Sequence, residues 1–272
     1  MVILGRTQMI GGVSITDAIK RLMAKGFDGV EICAFDKDWK LREELFEDSF
    51  PEQLKKVVDD FKVKAYSVSA HMDYVASDER YELVKNIIRV AGKIHSPIVI
   101  ITGGMDGKAP DRDTLYLKQV ERTKELCKIA KENSVTLAVE FEPNFVVGTT
   151  KQVLQLIKDV DHNSLRINMD IGHVFLEDPD PMDAILSSRG LVAHAHIENM
   201  MRGVHNHIVP YEGDMDLEAY FRQMKTIGFD GFASIDLYQY DYESVAEKSI
   251  RTVRDLWIRA TPDVNSPAGT TH

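Results

Sequence analysis

Eight short apolar runs recur along the chain, and a helical segment follows each of them. Runs of about four to six apolar residues are typical of parallel strands that are buried on both faces. Because strands alternate with helices throughout, the pattern predicts an α/β fold with a parallel sheet. Eight strands close a barrel, and 272 residues is near the usual length of about 250 residues for one barrel. We therefore predict a single (β/α)8 TIM barrel over residues 1–260, with residues 261–272 as a flexible or oligomer-contacting tail. The apolar runs, with the polar residues that end them, cover residues 2–5, 30–34, 63–71, 97–102, 135–142, 165–173, 191–199 and 232–238.

Composition and charge restrict the possible partners. With 44% hydrophobic and 28% charged residues, the chain has an ordinary globular composition. The formal charge of −10 argues against nucleic acid, which needs a basic face, and offers no attraction to an anionic membrane. No apolar run approaches the roughly 20 residues of a membrane span, and the N-terminus lacks the features of a signal peptide. Cys33 and Cys127 form no Cys-x-x-Cys motif, so we expect buried thiols and a cytoplasmic protein.

Each of the last four apolar runs ends on a side chain that can bind a divalent metal ion. These side chains are Glu140, Asp170, His196 and Asp236. Active sites of (β/α)8 barrels lie at the C-terminal ends of the strands, so the four are expected to meet at one point. Burying three carboxylates together is costly unless a cation compensates their charge. Three carboxylates and one imidazole suit manganese, with magnesium or cobalt as alternatives, better than structural zinc.

Strand alternation separates the candidate ligands from their neighbours. Glu140 and Glu142 share one face of their strand, as do His194 and His196. Glu140 ends the apolar run and is predicted to bind the metal, while Glu142 is better placed to contact substrate. In the same way, His196 is predicted as the ligand and His194 as a packing histidine below it. Glu31 begins inside the second strand and is interpreted as an interior polar group.

Further polar residues near the strand ends are candidates for substrate binding. His173 follows Asp170 closely in Asp-Ile-Gly-His, and His71 closes the third predicted strand. His207, with His205, lies in a polar loop after the seventh strand, where barrels carry substrate contacts. Arg202, in the same loop, could bind a hydroxyl or an anionic group. The structural alternatives are a helix cap for an Asp after a strand, a hydrogen-bonded core residue for a strand His, and solvated residues for the loop.

Taken together, these segments resemble the xylose-isomerase-like barrel superfamily, which includes sugar isomerases and epimerases as well as endonuclease IV. In ketose 3-epimerases of this type, the matching positions bind one divalent cation, often manganese, and two metal-bound glutamates move the proton. The resemblance therefore implies catalytic roles for Glu140 and Asp236, sugar contacts for His173 and Arg202, and a homo-oligomer. The segments that carry it are Val-Glu-Phe-Glu-Pro around Glu140, Asp-Ile-Gly-His from Asp170 to His173, His-Ala-His-Ile-Glu-Asn around His196, Arg202 six residues later, and Ser-Ile-Asp-Leu-Tyr around Asp236.

The resemblance predicts a metal-dependent carbohydrate isomerase or epimerase that removes a proton beside a carbonyl and works through an enediolate. Asp236 departs from the family pattern because a Glu stands there in the epimerases. Its shorter side chain can bind metal but reaches less far toward the substrate carbon, which would leave one proton transfer to Glu142 or a histidine. The alternatives are a C-glycoside-deglycosidase-type lyase subunit, which acts on a 3-keto-glycoside with a small partner subunit, and a non-catalytic barrel. A DNA-repair endonuclease would need three metals and a basic surface, which the charge of −10 disfavours.

Overall fold

The computed structural model describes residues 1–262, and its strands form a closed parallel barrel in chain order. β1 pairs with β8, which closes the sheet and confirms the predicted (β/α)8 fold. Most of the predicted tail, residues 263–272, lies outside the described residues. The strands are β1 Val2–Arg6, β2 Gly29–Cys33, β3 Tyr66–Ala70, β4 Ile98–Ile101, β5 Thr136–Glu140, β6 Leu165–Asp170, β7 Val192–Ile197 and β8 Phe232–Ile235.

Helices surround the barrel, and short polar side chains mark where several of them begin. Ser14, Ser77 and Thr149 each accept a backbone N–H bond from the first turn of the helix that follows. Within residues 1–262, no helix has both the length and the apolar character needed to cross a bilayer. The helices are α1 Ile15–Ala24, α2 Phe50–Phe61, α3 Asp78–Lys93, α4 Arg112–Glu132, α5 Thr150–Val160, α6 Ile171–Glu177, α7 Pro181–Ser187, α8 Leu217–Thr226 and α9 Tyr242–Arg259.

The barrel interior changes from apolar to polar along the strands. Near the N-terminal end, Ile98, Ile100 and Ala138 form a small apolar cluster separate from the main core. Further along the strands, Asn168 and His194 are fully buried and bonded to each other at 2.8 Å. Because interior positions recur every second residue, the next ones along β6 and β7 are Asp170 and His196. The fold thus stacks ionisable side chains toward the C-terminal mouth.

Candidate metal centre

The four side chains proposed as metal ligands converge at the C-terminal mouth of the barrel. From His196 Nδ1, the nearest carboxylate oxygens lie at 3.1 Å in Glu140, 3.6 Å in Asp236 and 3.8 Å in Asp170. Glu140 ends β5, Asp170 ends β6, and His196 lies one residue before the end of β7. Asp236 directly follows β8. All four are at most 4% exposed. Spacings of this size are those expected between atoms that share one metal ion at about 2.1 Å.

Unsatisfied atoms at this point indicate that the four residues fit a cation. Asp170 Oδ2 and His196 Nδ1 are buried, and neither has a hydrogen-bond partner within residues 1–262. On its other side, His196 Nε2 lies 3.0 Å from Glu31 Oε2. A carboxylate can only accept, so Nε2 carries a proton and Nδ1 is the atom that a metal would bind. The donor set of three carboxylates and one imidazole therefore fits a divalent ion.

The charges of the site depend on the contacts among its members. Burial by itself would raise the pKa of Glu140, but His196 and His71 hold that pKa well below its usual range. Burial would lower the pKa of His196, yet Glu140 and Glu31 raise it well above its ordinary value. Glu140 also accepts bonds from His71 at 2.8 Å and from Asn168 at 2.6 Å. Glu140 is therefore an ionised carboxylate, held in place from two sides.

Asp170 caps a helix with one oxygen and faces the centre with the other. Its Oδ1 accepts the backbone N–H of His173 at 2.8 Å at the start of α6. The N–H of Gly172 donates to Glu198 Oε1 at 2.7 Å, and a Cβ at Gly172 would lie only 2.3 Å from that oxygen. The glycine is required here because the turn passes so close to Glu198. The capping and metal-binding interpretations of Asp170 are compatible, since they use different oxygens.

A cavity of about 280 Å³ opens above these residues. Of the candidate residues named from the sequence, seven line it: His71, Glu140, Glu142, His173, His205, His207 and Asp236. Burial, with nearby Glu140 and Asp170 adding to its effect, raises the pKa of Glu142 to about 7. Glu142 is therefore protonated in part near neutral pH. Trp39 and Tyr238 also line the cavity, although neither was predicted.

Two other predicted residues lie elsewhere. Arg202 is absent from the cavity wall: it is exposed, and its guanidinium packs 5.0 Å from the ring centroid of Phe175. The guanidinium of Arg202 faces Phe175 rather than the cavity, and its sugar contact stays a prediction. His194 occupies the lower position expected for it and bonds Asn168 and Ser67. Burial lowers the pKa of His194 to about 3, so this ring is neutral.

Arg6 and Glu198 are site residues that sequence reasoning missed. Arg6 ends β1 fully buried and forms ion pairs with Asp236 and Glu31. Burial beside Asp170 and Asp236 raises the pKa of Glu198 well above its usual value, so this acid is protonated. Glu198 lies two residues after His196, so strand alternation was a signal that could have identified it. Arg6 directly follows the first apolar run, but a lone cation at a strand end does not indicate which carboxylates it will meet.

Comparison with known proteins identifies the family. Residues 19–260 match the family described as xylose isomerase-like TIM barrel, and the chain belongs to that family. A 3-dehydroshikimate dehydratase of Bacillus anthracis is 21% identical over 269 residues, which is 90% of this chain and 93% of the relative. The fold is similar to a D-tagatose 3-epimerase-like protein (TM-score 0.80, 19% identity, 95% of this chain and 98% of that chain). It is also similar to an IolI protein described with a bound zinc atom (TM-score 0.74, 18% identity, 96% and 99% covered).

Proposed function

We propose that this chain is a divalent-metal-dependent sugar isomerase or epimerase. The observation that carries the proposal is the convergence of Glu140, Asp170, His196 and Asp236 on one buried point beneath a cavity. These four residues would hold one ion, which we propose to be manganese, with magnesium or cobalt as alternatives. When bound, such an ion acts as a Lewis acid toward a carbonyl oxygen of the substrate.

The residues around the cavity would remove and return a proton beside the carbonyl, through an enediolate of the substrate. Glu140 is positioned as a ligand and as one base. Asp236 is paired with Arg6, and its side chain is shorter by one methylene than the glutamate of the epimerases. We therefore propose that Glu142, on the cavity wall, assists proton transfer on the second face. His71, His173 and His207 line the same cavity and would orient hydroxyl groups.

The expected partners follow from the same reasoning. The substrate is a small sugar or glycoside, and we propose a homo-oligomer, with a small second subunit as an alternative arrangement. Neither a nucleic acid nor a membrane is proposed as a partner, in line with the charge of −10. Cys33 and Cys127 are both free and buried, which supports the proposed cytoplasmic location.

A lyase is the second candidate, and a neighbouring cavity favours it. This cavity has about 320 Å³ and shares Trp39 and His71 with the first. Phe35, Met72 and Met105, with Arg80, complete a largely apolar wall that could hold the leaving group of a 3-keto-glycoside. The similar dehydratase supports the same first step, because elimination also begins with loss of a proton. The two functions differ in the fate of the β-substituent, which only the lyase releases.

Proton exchange with heavy water tests both candidates. Protein supplied with manganese would be incubated in deuterium oxide with a panel of ketoses and 3-keto-glycosides, and products would be followed by NMR. An isomerase or epimerase incorporates deuterium and yields a rearranged sugar, whereas a lyase releases the aglycone. Exchange should disappear in Glu140→Gln and persist in Glu132→Gln, which changes an exposed glutamate on α4. If no compound exchanges with any divalent ion, a non-catalytic barrel becomes the better interpretation.

A further inference from the structure

The second cavity at the barrel mouth differs from the first in charge. The two cavities have about 280 and 320 Å³ and share Trp39 and His71 among their lining residues. Within residues 1–262, neither Lys nor Arg lines the first cavity, and neither Asp nor Glu lines the second, which has Arg80 on its wall instead. A ligand that spans both cavities therefore meets carboxylates at one end and a guanidinium at the other. The carboxylates of the first cavity are Glu140, Glu142 and Asp236.

The charge of Arg80 is not neutralised by the described part of the chain. Arg80 lies in the first turn of α3, and its side chain is exposed. Its guanidinium forms no hydrogen bond, ion pair or ring contact within residues 1–262. Asp78, two residues earlier, pairs with Arg122 instead. The guanidinium is therefore available to a ligand, and its fork of N–H groups matches the two oxygens of a carboxylate.

The remaining wall of the second cavity is largely apolar. Phe35, Trp39, Met72 and Met105 contribute to it. Trp39 is 56% exposed and Met105 is 41% exposed, so two large apolar side chains face solvent at one cavity. Exposed apolar side chains that line a concave surface are typical of a binding site. Aromatic rings and the thioether of methionine both pack favourably against a flat aromatic group. The wall therefore favours an aromatic occupant.

A strained turn presents Trp39 at both cavities. The φ of Trp39 is 59°, in the left-handed region that bulky residues rarely adopt. Asp36 maintains the turn, because its Oδ1 accepts the N–H groups of Asp38 and Lys40, each at 2.9 Å. The rings of Phe35 and Trp39 lie 6.4 Å apart between centroids and are tilted by 45°. Strained residues of this kind persist where surrounding contacts fix them, and they are enriched at ligand-binding sites.

A buried aspartate fixes the loop that carries Met105. Asp73 Oδ2 accepts the N–H of Met105 at 3.2 Å, and its Oδ1 accepts the N–H groups of Val75 and Ala76 at 2.9 and 2.8 Å. One side chain thus joins the loop after β3 to the loop after β4. The second cavity is therefore built from anchored segments, which reduces the ordering cost of ligand binding.

We propose that the second cavity is a subsite for an aromatic substituent of the substrate that carries a carboxylate, and that Arg80 selects its negative charge. The sugar part of such a substrate would occupy the first cavity, beside the proposed metal ligands. The aromatic ring would lie against Trp39, Met72 and Met105, and the carboxylate would pair with the guanidinium. Arg80 acts here on specificity and takes no part in proton transfer.

This inference rests on the proposed function for the position of the sugar, and it adds the class of substrate. An isomerase and a lyase could each act on a glycoside of this kind. The subsite is tested by binding, whereas the proposed function is tested by proton exchange. Exchange on uncharged sugars without a preference for carboxylates would contradict only the subsite, and the preference without exchange would contradict only the proposed function.

Binding of matched aryl glycosides to the full chain tests the subsite. The 4-carboxyphenyl and 4-carbamoylphenyl β-D-glycosides of glucose, galactose and xylose would be titrated at pH 7 by calorimetry, with and without manganese. Within a pair, the two compounds have nearly the same shape and differ in charge. For at least one sugar, we expect the carboxylate to bind about five- to tenfold more tightly than the amide. Added salt should reduce this preference, because the guanidinium is exposed.

Substitutions of Arg80 separate its charge from its shape. Arg80→Gln should bind the carboxylate and the amide equally, with the affinity for the amide unchanged. Arg80→Lys should retain part of the preference, because it keeps the charge but loses the planar fork. Arg251→Gln removes another exposed arginine, on α9 and away from both cavities, and should keep the full preference.

Three results would overturn the proposal. The first is equal binding of carboxylate and amide by the unmodified protein for every sugar. The second is Arg80→Gln weakening both compounds to the same extent, which would mean a role in shape alone. The third is the absence of binding by all six glycosides. In that last case, loss of self-association in Met105→Ser, measured by sedimentation, would assign the apolar wall to a contact between two copies of the chain.

Discussion

Arg6 and Asp236 form a buried ion pair that joins the end of the first strand to the residue just after the last. The pair spans the closing β1–β8 seam of the barrel. Arg6 also reaches Glu31 on β2, with its Nε 3.1 Å from Glu31 Oε1. One oxygen of Asp236 therefore contacts the guanidinium, while the other lies 3.6 Å from His196 Nδ1. The short side chain of Asp236 is thus anchored from below and directed at the candidate metal centre.

Arg6→Met should destabilise the metal-free protein. The substitution leaves the carboxylates of Glu31 and Asp236 without their shared counter-charge at positions 0% and 2% exposed. Breaking a buried ion pair by removing one partner costs about 3–5 kcal/mol. The free energy of unfolding in urea, in the presence of a chelator, measures the loss. Arg89→Met on the exposed face of α3 is the control, and an equal effect of both changes would contradict the importance of this pair.

Glu140→Gln should leave the barrel folded but reduce metal occupancy and turnover together. The amide keeps the shape of the side chain and removes the negative charge that a cation needs. If Glu140 also moves the proton, turnover should fall by about 10²–10⁴-fold. Elemental analysis and the exchange assay measure the two effects, with Glu132→Gln as the matched change. A variant that kept full metal-dependent activity would show that the role of Glu140 is wrong.

Asp28→Asn should reduce stability near neutral pH and have less effect in acid. Burial alone would raise the pKa of Asp28, but Lys64 and Arg254, at 2.8 and 2.9 Å, lower it overall. A depressed folded pKa gives stability that is present above the unfolded pKa of about 3.9 and is lost as the pH falls through the folded value.

Urea unfolding of the Asp28→Asn variant at a series of pH values measures this effect. Its deficit relative to the unmodified chain should shrink as the pH falls below about 4. Asp60→Asn, an exposed change on α2, is the control and should show no such trend. A deficit that stays constant through the acid range would mean that the ion pairs of Asp28 contribute nothing.

Trp39→Ala should weaken substrate binding without affecting the fold. The Trp39 side chain is 56% exposed, yet it lines both cavities at the mouth. Its removal should raise KM while changing stability by no more than about 0.5 kcal/mol. Steady-state kinetics and thermal unfolding together separate the two effects. Leu117→Ala, at 68% exposure on α4, removes a comparable exposed apolar side chain away from the cavities and should leave KM unchanged.

Local rules were sufficient to predict the architecture, and they selected four side chains that lie together at the barrel mouth. The spacing of apolar runs indicated eight strands, and the barrel confirms them. The alternation of side chains along a strand and the position at a strand end selected Glu140, Asp170 and His196 as candidate ligands. Both properties depend only on neighbouring residues. Asp236 followed from the same reasoning at the end of the last apolar run. All four lie together, which makes the metal centre a hypothesis with a defined geometry.

Other features were decided by tertiary structure alone. Arg6 reaches Asp236 only because the first and last strands pair, and no local pattern encodes that closure. The contact of Arg202 with Phe175 was not predictable either, since a loop has no periodicity that indicates where a side chain points. His205 contacts His173 on α6 only because of the conformation of the loop between β7 and α8. The sequence by itself determines which face of a strand a side chain occupies. Contacts between distant segments depend instead on the closure of the barrel and on the conformation of its loops.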